Sequence, residues 1–330
     1  MQIYKFNSIL KPVLWGGDKL MAFKGLPAHD EPIGESWELS AMPGRESVVA
    51  EGPDMGLTLT QLVQRYGADL VGEDVYRRYG DNFPLLIKLI DAKRDLSIQV
   101  HPNDDLAMRD HGCNGKTEMW YILDTDKGAT ITTGFKKTIT PEEFDRHLAE
   151  GTILDVVNRD PSHPGDVFYI PAGQIHAIGA GNLLVEVQQS CDITYRVWDY
   201  FRRDADGNLR ELHTSQAREA LDFNARDGQV SLPEPSIIGS TELLCAREFC
   251  VTHYNIDESL RLEYPQPHSF LALTCIKGKS LLEAEGLPSA TIKRGETVLV
   301  PACAHWVVFT GRAQLLVTSV PNETTTVNKY

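Results

Sequence analysis

A short pattern that occurs twice, 130 residues apart, constrains the fold of this chain more than any other feature. The first copy runs from Gly165 to His176 as GDVFYIPAGQIH, and the second from Gly295 to His305 as GETVLVPACAH. Each copy has a glycine, five residues, Pro-Ala and a final histidine. The five residues are mostly β-branched, aromatic or leucine, which is typical of a strand that ends in a turn. The repeat therefore predicts two related β units.

Short apolar runs make up most of the chain from Phe83 onward. They are rich in Val, Ile, Leu, Tyr and Trp and are separated by Gly, Pro, Asn and Asp, so the chain is predicted to be mainly β with a small helical part. Polar residues within the runs are spaced by two and would share one face of a strand. The pairs are Gln99 with His101, Lys116 with Glu118, Glu186 with Gln188, and Thr194 with Arg196.

This polar face has two interpretations. It could face solvent, or it could line the polar interior of a barrel, because large apolar residues alternate with it. The internal repeat favours the barrel.

Three helices are indicated by their ends. The first helix is predicted to begin after Thr140, which precedes a proline and is followed three residues later by glutamate, and to end at Gly151. Thr58 and Gln61 begin a second segment with an apolar face. A third helix is predicted from Ser215 to Phe223.

The polar stretch from Asn224 to Ser240 contains GQVSLPEPS and is predicted to be a linker or crossover between the two β units. Residues 1–223 are then expected to form one domain that includes the peripheral helices. Residues 241–330 are expected to form the second, degenerate unit.

Charge and apolar content narrow the range of partners. The 330 residues carry a formal charge of −14, from 32 basic and 46 acidic residues, with no basic stripe or tail, so no nucleic-acid partner is expected. No apolar run reaches the length of a membrane span and the N-terminus lacks the features of a signal peptide, so we expect no membrane association and a cytoplasmic location. An anionic ligand would need a locally positive site.

Cysteine spacing gives no sign of a disulfide framework. The six cysteines are scattered through a large chain, so we expect reduced thiols. They are Cys113, Cys191, Cys245, Cys250, Cys275 and Cys303. The oligomeric state, a monomer or a weak dimer, is not determined by the sequence.

Donor side chains on the predicted inward faces could hold a metal ion. They are His101, Glu118 and His176, with Gln99 as a fourth. A metal needs donors within about 2.0–2.2 Å of one point, and separate strands of a barrel can supply them. A lone histidine is more often structural, but three donors on inward strands favour a metal. Imidazole and carboxylate without thiolate suit zinc or iron, and ligand type does not separate the two.

Longer stretches around these residues carry a resemblance to a known family. They are KPVLWGG, the run from LLIKLIDAKRDLSIQVHPNDD to KTEMWYIL, PAGQIHAI and EVQQSCDITYRVWDY. Through roughly its first 200 residues the chain resembles the type I phosphomannose isomerases, which are zinc-dependent cupins. G-x5-P-x-G-x2-H also resembles the second cupin signature. The resemblance implies two cupin-like double-stranded β-helix (jelly-roll) barrels, as in the short bacterial form of the family.

The same resemblance implies an activity and a site. The activity is interconversion of mannose 6-phosphate and fructose 6-phosphate through an enediolate, with one zinc ion per chain as Lewis acid. The family's metal ligands fall on Gln99, His101, Glu118 and His176, and its catalytic arginine falls on Arg196.

The chain departs from the general cupin pattern. It has Gln-x-His where many cupins have His-x-His, and Glu118 follows His101 by seventeen residues. The insert from Pro102 to Lys116 is therefore expected to be a loop over the pocket mouth. Arg196 lies in the sequence ITYRVWDY, whereas the longer, eukaryotic-like members of the family have the context AGxTPK. Positions after Arg196 are therefore not matched to those members.

The remaining roles stay open. Proton transfer between C1 and C2 needs a base within about 3 Å of both carbons, and Glu186 and Lys116 are both plausible. Lys116 could instead orient Glu118. The resemblance places phosphate contacts near Lys88 and Ser97, and the chain has no glycine-rich phosphate loop.

Plainer interpretations accompany these roles. Arg196 could form a salt bridge with Asp192 or Asp199, and Lys88 could extend from a strand edge. His305 has no partners like those of the first copy, so the second barrel is predicted to lack a metal. Two other functions also remain open: a non-catalytic sugar-phosphate-binding cupin, or another metal-dependent cupin enzyme such as an oxygenase or epimerase.

Overall fold

Antiparallel strands make up most of the structure, a computed structural model that describes residues 1–203, 207–226, 228–230, 239–264 and 268–322. The prediction of a mainly β chain is confirmed. The strands are β1 Tyr4–Asn7, β2 Ile9–Gly17, β3 Ile33–Leu39, β4 Ala41–Met42, β5 Arg45–Glu46, β6 Val48–Val49, β7 Leu85–Ala92, β8 Ile98–Val100, β9 Glu118–Thr125, β10 Thr130–Phe135, β11 Val157–Pro161, β12 Val167–Ile170, β13 His176–Ile178, β14 Asn182–Gln189, β15 Tyr195–Trp198, β16 Gly239–Cys245, β17 Cys250–Glu263, β18 Leu271–Ala284, β19 Ala290–Lys293, β20 Thr297–Val300 and β21 Trp306–Ser319. The helices are α1 Lys19–Lys24, α2 Leu59–Tyr66, α3 Ala68–Val71, α4 Glu73–Tyr79, α5 Asp104–His111, α6 Pro141–Glu150 and α7 Thr214–Ala220.

Capping residues begin two of the helices as the sequence predicts. In α6 the hydroxyl of Thr140 accepts from the Glu143 N–H at 3.1 Å, and the Glu143 carboxylate accepts from the Thr140 N–H at 2.8 Å. α2 begins with the same reciprocal pair. α7 ends at Ala220, three residues before the predicted end, because Leu221 adopts extended backbone. Among the described residues, no helix is long and apolar enough to cross a membrane.

The insert from Pro102 to Lys116 contains a helix, which corrects the expectation of a loop. The side chain of Asn103 accepts from the Leu106 N–H at 2.9 Å and so caps the start of α5. Two aspartates follow in the first turn, where they favour the positive end of the helix dipole. Gly112, with φ of 67°, ends the helix.

Two antiparallel sheets face each other in the N-terminal half. One has the strand order β11-β10-β13-β8-β15, and the other has the order β12-β9-β14-β7-β3-β2. Apolar side chains between them, including Trp120, Phe168 and Ile131, form one core. Helices α6 and α7 cover the outer face of the five-stranded sheet, where Phe144 and Val197 belong to a second core. The arrangement is a cupin-like barrel with a filled interior.

The C-terminal half forms a sheet of eight strands. Its order is β16-β17-β21-β18-β20-β1-β6, with β19 beside β18. Apolar side chains such as Leu273, Phe309 and Leu315 pack into a core of their own. β1 comes from the start of the chain, and Tyr4 lies opposite Leu299 of β20.

A further core joins the two halves. It contains Leu85 and Val185 of the six-stranded sheet together with Phe249 and Phe270 of the C-terminal half. β7 and β14 are buried along their whole length. The six-stranded sheet is therefore covered on both faces, which explains why its strands are nearly continuous apolar runs.

The two copies of the sequence repeat occupy the same kind of place. In the first, β12 leads into the turn PAGQI, and β13 begins at His176. In the second, β20 leads into the turn PACA, and His305 directly precedes β21. Each copy is a strand, a turn and a strand, as the repeat predicts.

The expectation of six reduced thiols is wrong for one pair. Cys245 and Cys250 lie opposite each other at the end of the β16–β17 hairpin, with Cα atoms 4.0 Å apart, and form a disulfide. The intervening turn is closed by a hydrogen bond from the Ala246 N–H to the Phe249 carbonyl at 2.9 Å. The hairpin thus brings together two cysteines whose spacing alone did not indicate a pair.

The predicted linker, residues 224–240, includes residues 227 and 231–238, which lie outside the described residues. The division into residues 1–223 and 241–330 remains a prediction. β1 nevertheless pairs with the C-terminal sheet, so the first strand of the chain packs with the second half.

Candidate metal centre

Three neighbouring strands bring polar side chains to one face of the five-stranded sheet. Gln99 of β8 lies opposite His176 of β13 on one side and opposite Arg196 of β15 on the other. Directly opposed residues in an antiparallel pair share a face. His101 comes two residues after Gln99 and so continues on that face.

Glu118 reaches the same point from the other sheet. It is the first residue of β9, is opposed to Gln188 of β14, and is fully buried. Lys116 precedes it by two residues and is also buried. The polar cluster therefore lies between the two sheets, inside the N-terminal barrel, which favours the barrel interpretation over a solvent-exposed face.

The donor atoms converge as a tetrahedral ion requires. His101 Nε2 lies 3.1 Å from His176 Nε2 and 3.4 Å from Glu118 Oε2. His176 Nε2 lies 3.5 Å from Glu118 Oε1. Ligands about 2.0–2.1 Å from a tetrahedral ion are roughly 3.3–3.4 Å from each other. The three distances fit the edges of such a tetrahedron.

Backbone carbonyls fix both imidazoles. His101 Nδ1 lies 2.9 Å from the carbonyl oxygen of Ile193, and His176 Nδ1 lies 2.8 Å from that of Gln174. With Nδ1 as the donor in each ring, the Nε2 lone pairs point into the cluster. This is the usual arrangement of histidines that bind metals.

Gln99 lies beside the three donors. Its Nε2 lies 3.2 Å from His176 Nε2. Rotating the amide by half a turn would present Oε1 at the same place, and amide oxygen is a suitable metal ligand.

Electrostatics favour the protonation states that a cation needs. Burial, followed by the charge of Lys116, lowers the pKa of His101 to about 3, and burial also lowers the pKa of His176. Burial would raise the pKa of Glu118, but Lys116 and the histidines outweigh it and hold that pKa well below its usual range. A buried carboxylate and two neutral imidazoles fit a divalent ion such as zinc.

Lys116 lies within the cluster. Its Nζ is 2.9 Å from His101 Nε2 and 2.9 Å from Glu118 Oε2. It is therefore a buried lysine in direct contact with two of the candidate ligands.

Glu186 lies one layer away from the ligands. Its Oε1 accepts from Lys88 Nζ at 2.8 Å, and its Oε2 accepts from Trp120 Nε1 at 3.0 Å. The Trp120 ring meets the His176 ring edge-on, with centroids 5.5 Å apart. Glu186 thus connects to the cluster through a tryptophan.

Lys88 is enclosed rather than placed at a strand edge. It is 4% exposed, and its Nζ also donates to Gln188 Oε1 at 2.7 Å. Burial alone would lower its pKa, but Glu186, Glu35 and Asp192 outweigh burial and raise it. Lys88 is therefore a buried ammonium with two internal acceptors. Ser97 directly precedes β8 and is also buried.

Arg196 is half-buried beside Gln99. One of its terminal nitrogens donates to the Glu211 carbonyl at 2.7 Å, and its Nε has no partner among the described residues. The two carboxylates considered as its partners bind other arginines: Asp192 pairs with Arg45, and Asp199 with Arg202 and Arg210.

Sequence reasoning missed two contributors to the site. Trp120 shares a face with Glu118 in EMWYIL, so strand alternation could have indicated it. The Ile193 carbonyl left no signal, because a backbone acceptor carries no side-chain signature.

The fold and the site together define a class. The chain is a cupin-like β protein, and its described residues include a buried His-Glu-His cluster able to hold a metal inside the N-terminal barrel.

Comparisons with known proteins agree with this class. Residues 3–138 match the family described as phosphomannose isomerase type I, catalytic domain. The mannose-6-phosphate isomerase ManA of Bacillus subtilis is 37% identical over 299 residues, which cover 90% of this chain and 92% of that protein. The mannose-6-phosphate isomerase of Streptococcus mutans is 32% identical over 92% of this chain and 93% of that protein.

Solved structures share the fold over nearly the whole chain. The crystal structure of a mannose 6-phosphate isomerase from Bacillus subtilis matches with a TM-score of 0.86 and 34% identity, covering 96% of this chain and 99% of that one. A zinc-bound mannose 6-phosphate isomerase matches with a TM-score of 0.78 and 16% identity over 96% of this chain and 99% of that one. The chain belongs to the type I phosphomannose isomerase family and is an enzyme of that family. The predicted fold class, mainly β with two cupin-like jelly-roll barrels and a small helical part, is confirmed.

Proposed function

We propose that the protein interconverts mannose 6-phosphate and fructose 6-phosphate, with one zinc ion per chain, by proton transfer through an enediolate. The names of its relatives support the substrate. The observation that carries the proposal is the buried His-Glu-His cluster, whose donor atoms are spaced like the corners of a tetrahedron.

Gln99, His101, Glu118 and His176 would hold the ion. When bound, zinc would supply a Lewis acid that stabilises negative charge on substrate oxygens, a contribution of several kcal/mol. The cluster contains no thiolate, which is consistent with a catalytic rather than a purely structural zinc.

The chain offers two groups for the proton transfer between C1 and C2. Lys116 lies against His101 and Glu118, so its side-chain nitrogen is close to where charge would develop on the substrate. Glu186 is a carboxylate whose orientation is fixed by Lys88 and Trp120. We keep both as candidates for the base. A fixed base contributes typically about 10²–10⁴-fold to the rate.

Three further residues would bind or orient the substrate. Arg196, with its free Nε on the inner face, would pair with a substrate oxygen or the phosphate. Ser97 and Lys88 are the proposed phosphate contacts. Because Lys88 already donates to Glu186 and Gln188, only its third N–H is available to the phosphate.

Isomerisation of mannose 6-phosphate by the purified protein tests the proposal. The fructose 6-phosphate formed is consumed by coupled enzymes, and the assay is repeated after chelator treatment and after adding zinc back. We expect activity that disappears with the chelator and returns with zinc, at one zinc per chain. Zinc-replete protein without activity would contradict the isomerase. Bound iron would then point to an oxygenase, and retained sugar-phosphate binding to a binding protein.

A further inference from the structure

Two thiols lie close together beside the metal centre. Cys113 Sγ is 3.9 Å from Cys191 Sγ, and the two residues are 78 positions apart in the chain. Neither is in a disulfide, and neither has a role in the proposed reaction. The pair is separate from the disulfide of the β16–β17 hairpin.

Each thiol belongs to a segment that supports the site. Cys113 lies at the end of the insert, three residues before Lys116, which contacts His101 and Glu118. Cys191 lies in the connection between β14 and β15, which carry Glu186 and Arg196 respectively. A covalent bond between the thiols would tie these two segments together.

Hydrogen bonds lead from the sulfur of Cys191 to a metal ligand. Cys191 Sγ accepts from the Ile193 N–H at 3.4 Å, and the carbonyl of the same Ile193 lies 2.9 Å from His101 Nδ1. A movement of the Cys191 sulfur therefore acts on the residue that orients His101.

The two thiols differ in access. Cys113 is half-buried, so a small oxidant can reach it from solvent. Cys191 is buried, and burial raises the pKa of its thiol to about 12. Oxidation would therefore begin at Cys113, the more accessible of the two thiols.

We propose that Cys113 and Cys191 form a peroxide-sensitive thiol pair that lowers metal affinity when it is oxidised. Cys113 thiolate attacks hydrogen peroxide and becomes a sulfenic acid, releasing hydroxide. The Cys191 sulfur then displaces water from the sulfenic acid, and its proton leaves with that water. In total, two thiols and one peroxide give one disulfide and two waters.

Formation of the disulfide would displace Ile193, whose carbonyl orients the His101 ring. A disulfide has an S–S distance of about 2.0 Å, so the sulfurs, now 3.9 Å apart, must approach by roughly 2 Å. The Cys191 sulfur then leaves the Ile193 N–H, and the acceptor of His101 Nδ1 shifts with that residue. Loss of such an outer partner lowers metal affinity or activity by about 10–100-fold. The effect on activity rests on the proposed isomerase function, whereas the disulfide and the effect on metal affinity do not.

The test compares zinc-loaded wild type with Cys113→Ser and Cys191→Ala before and after hydrogen peroxide, each followed by dithiothreitol. Three quantities are measured: the peptide linked through residues 113 and 191 in a non-reducing digest, zinc released to a coloured chelator, and isomerase activity. Cys303→Ser is the matched control, because that half-buried thiol lies in the turn of the second sequence copy.

We expect the linked peptide, together with a loss of zinc affinity and activity of about 10–100-fold that dithiothreitol reverses, in wild type and in Cys303→Ser. Both pair variants should keep their zinc under peroxide. Absence of the linked peptide, oxidation of Cys113 to sulfinic acid alone, or equal zinc loss in Cys113→Ser would overturn the proposal. Peptide linkage and zinc release are scored without turnover, so they remain decisive even if the isomerase assay fails.

Discussion

The ring nitrogens that face away from the metal centre determine the orientation of those that face it. The Nδ1 atoms of His101 and His176 each donate a hydrogen bond to a backbone carbonyl, so neither ring can turn without losing that hydrogen bond. Such outer contacts are the reason that a site can be rigid before any ion enters it.

The first prediction concerns the ligand His101. We expect His101→Ala to lose bound zinc and to reduce isomerase activity by more than about 100-fold, since even outer partners are worth up to that factor. Zinc per chain and coupled turnover are the measurements. His305→Ala is the control, because His305 is exposed and contacts Glu285 at 2.8 Å in the other half. Full activity and zinc in His101→Ala would refute the ligand assignment.

A second prediction concerns the buried pair of Lys88 and Glu186. Lys88→Met leaves the Glu186 carboxylate buried without its ammonium, so we expect the free energy of unfolding to fall by about 3–5 kcal/mol. Urea unfolding at neutral pH measures it. Lys93→Met is the matched control, because Lys93 is 62% exposed and 3.7 Å from Asp18, and it should cost at most about 1 kcal/mol. Similar losses in the two variants would argue against a buried pair.

For single residues, the sequence predicts which side chains belong to the candidate site better than it predicts which residues they contact. His101 and Glu118 could be selected because alternation places each on an inward face, and His176 because it ends the repeated strand-and-turn pattern. The partners of Lys88 could not, because they depend on the register between β7 and β14, which the local sequence does not contain.

Among the elements, helix α6 owes its start to a reciprocal pair of side-chain hydrogen bonds. Thr140→Ala removes the hydroxyl that accepts from the Glu143 N–H, so we expect a loss of about 1 kcal/mol in the free energy of unfolding. Thermal or urea unfolding measures it. Lys137→Ala, an exposed change just before the helix, should stay within about 0.5 kcal/mol. An equal effect of both changes would show that the cap contributes nothing.

Local signals also explain which elements the sequence predicts and which it misses. Helices α2 and α6 have capping pairs that act within four residues, so they are readable from the chain alone. Helix α5 also has local signals, an Asn cap and a terminal glycine. It was missed because the length of the insert between His101 and Glu118 was interpreted as a loop. The Cys245–Cys250 bond required knowledge that two strands turn back within five residues.

For the whole molecule, the core between the halves is the feature to test. Phe270 of the C-terminal half packs against Phe83, which precedes β7, with ring centroids 4.5 Å apart and the rings tilted by 36°. Phe270→Ala should lower the free energy of unfolding by about 3–5 kcal/mol, because it leaves a cavity between the halves. Urea unfolding measures the loss. The exposed change Met55→Ala should alter it by no more than about 0.5 kcal/mol, and a comparable effect of both would contradict a shared core.

The pairing of β1 with β20 has a consequence for how the protein is made. Tyr4 is synthesised long before its strand partner Leu299. The strands of the N-terminal barrel can pair with each other during synthesis, because domains generally fold as units, the N-terminal one first. β1 can pair early with β6, where Phe6 lies opposite Val49, but its other edge has no strand partner until β20 has been translated, so completion of the second sheet is a late step of biogenesis.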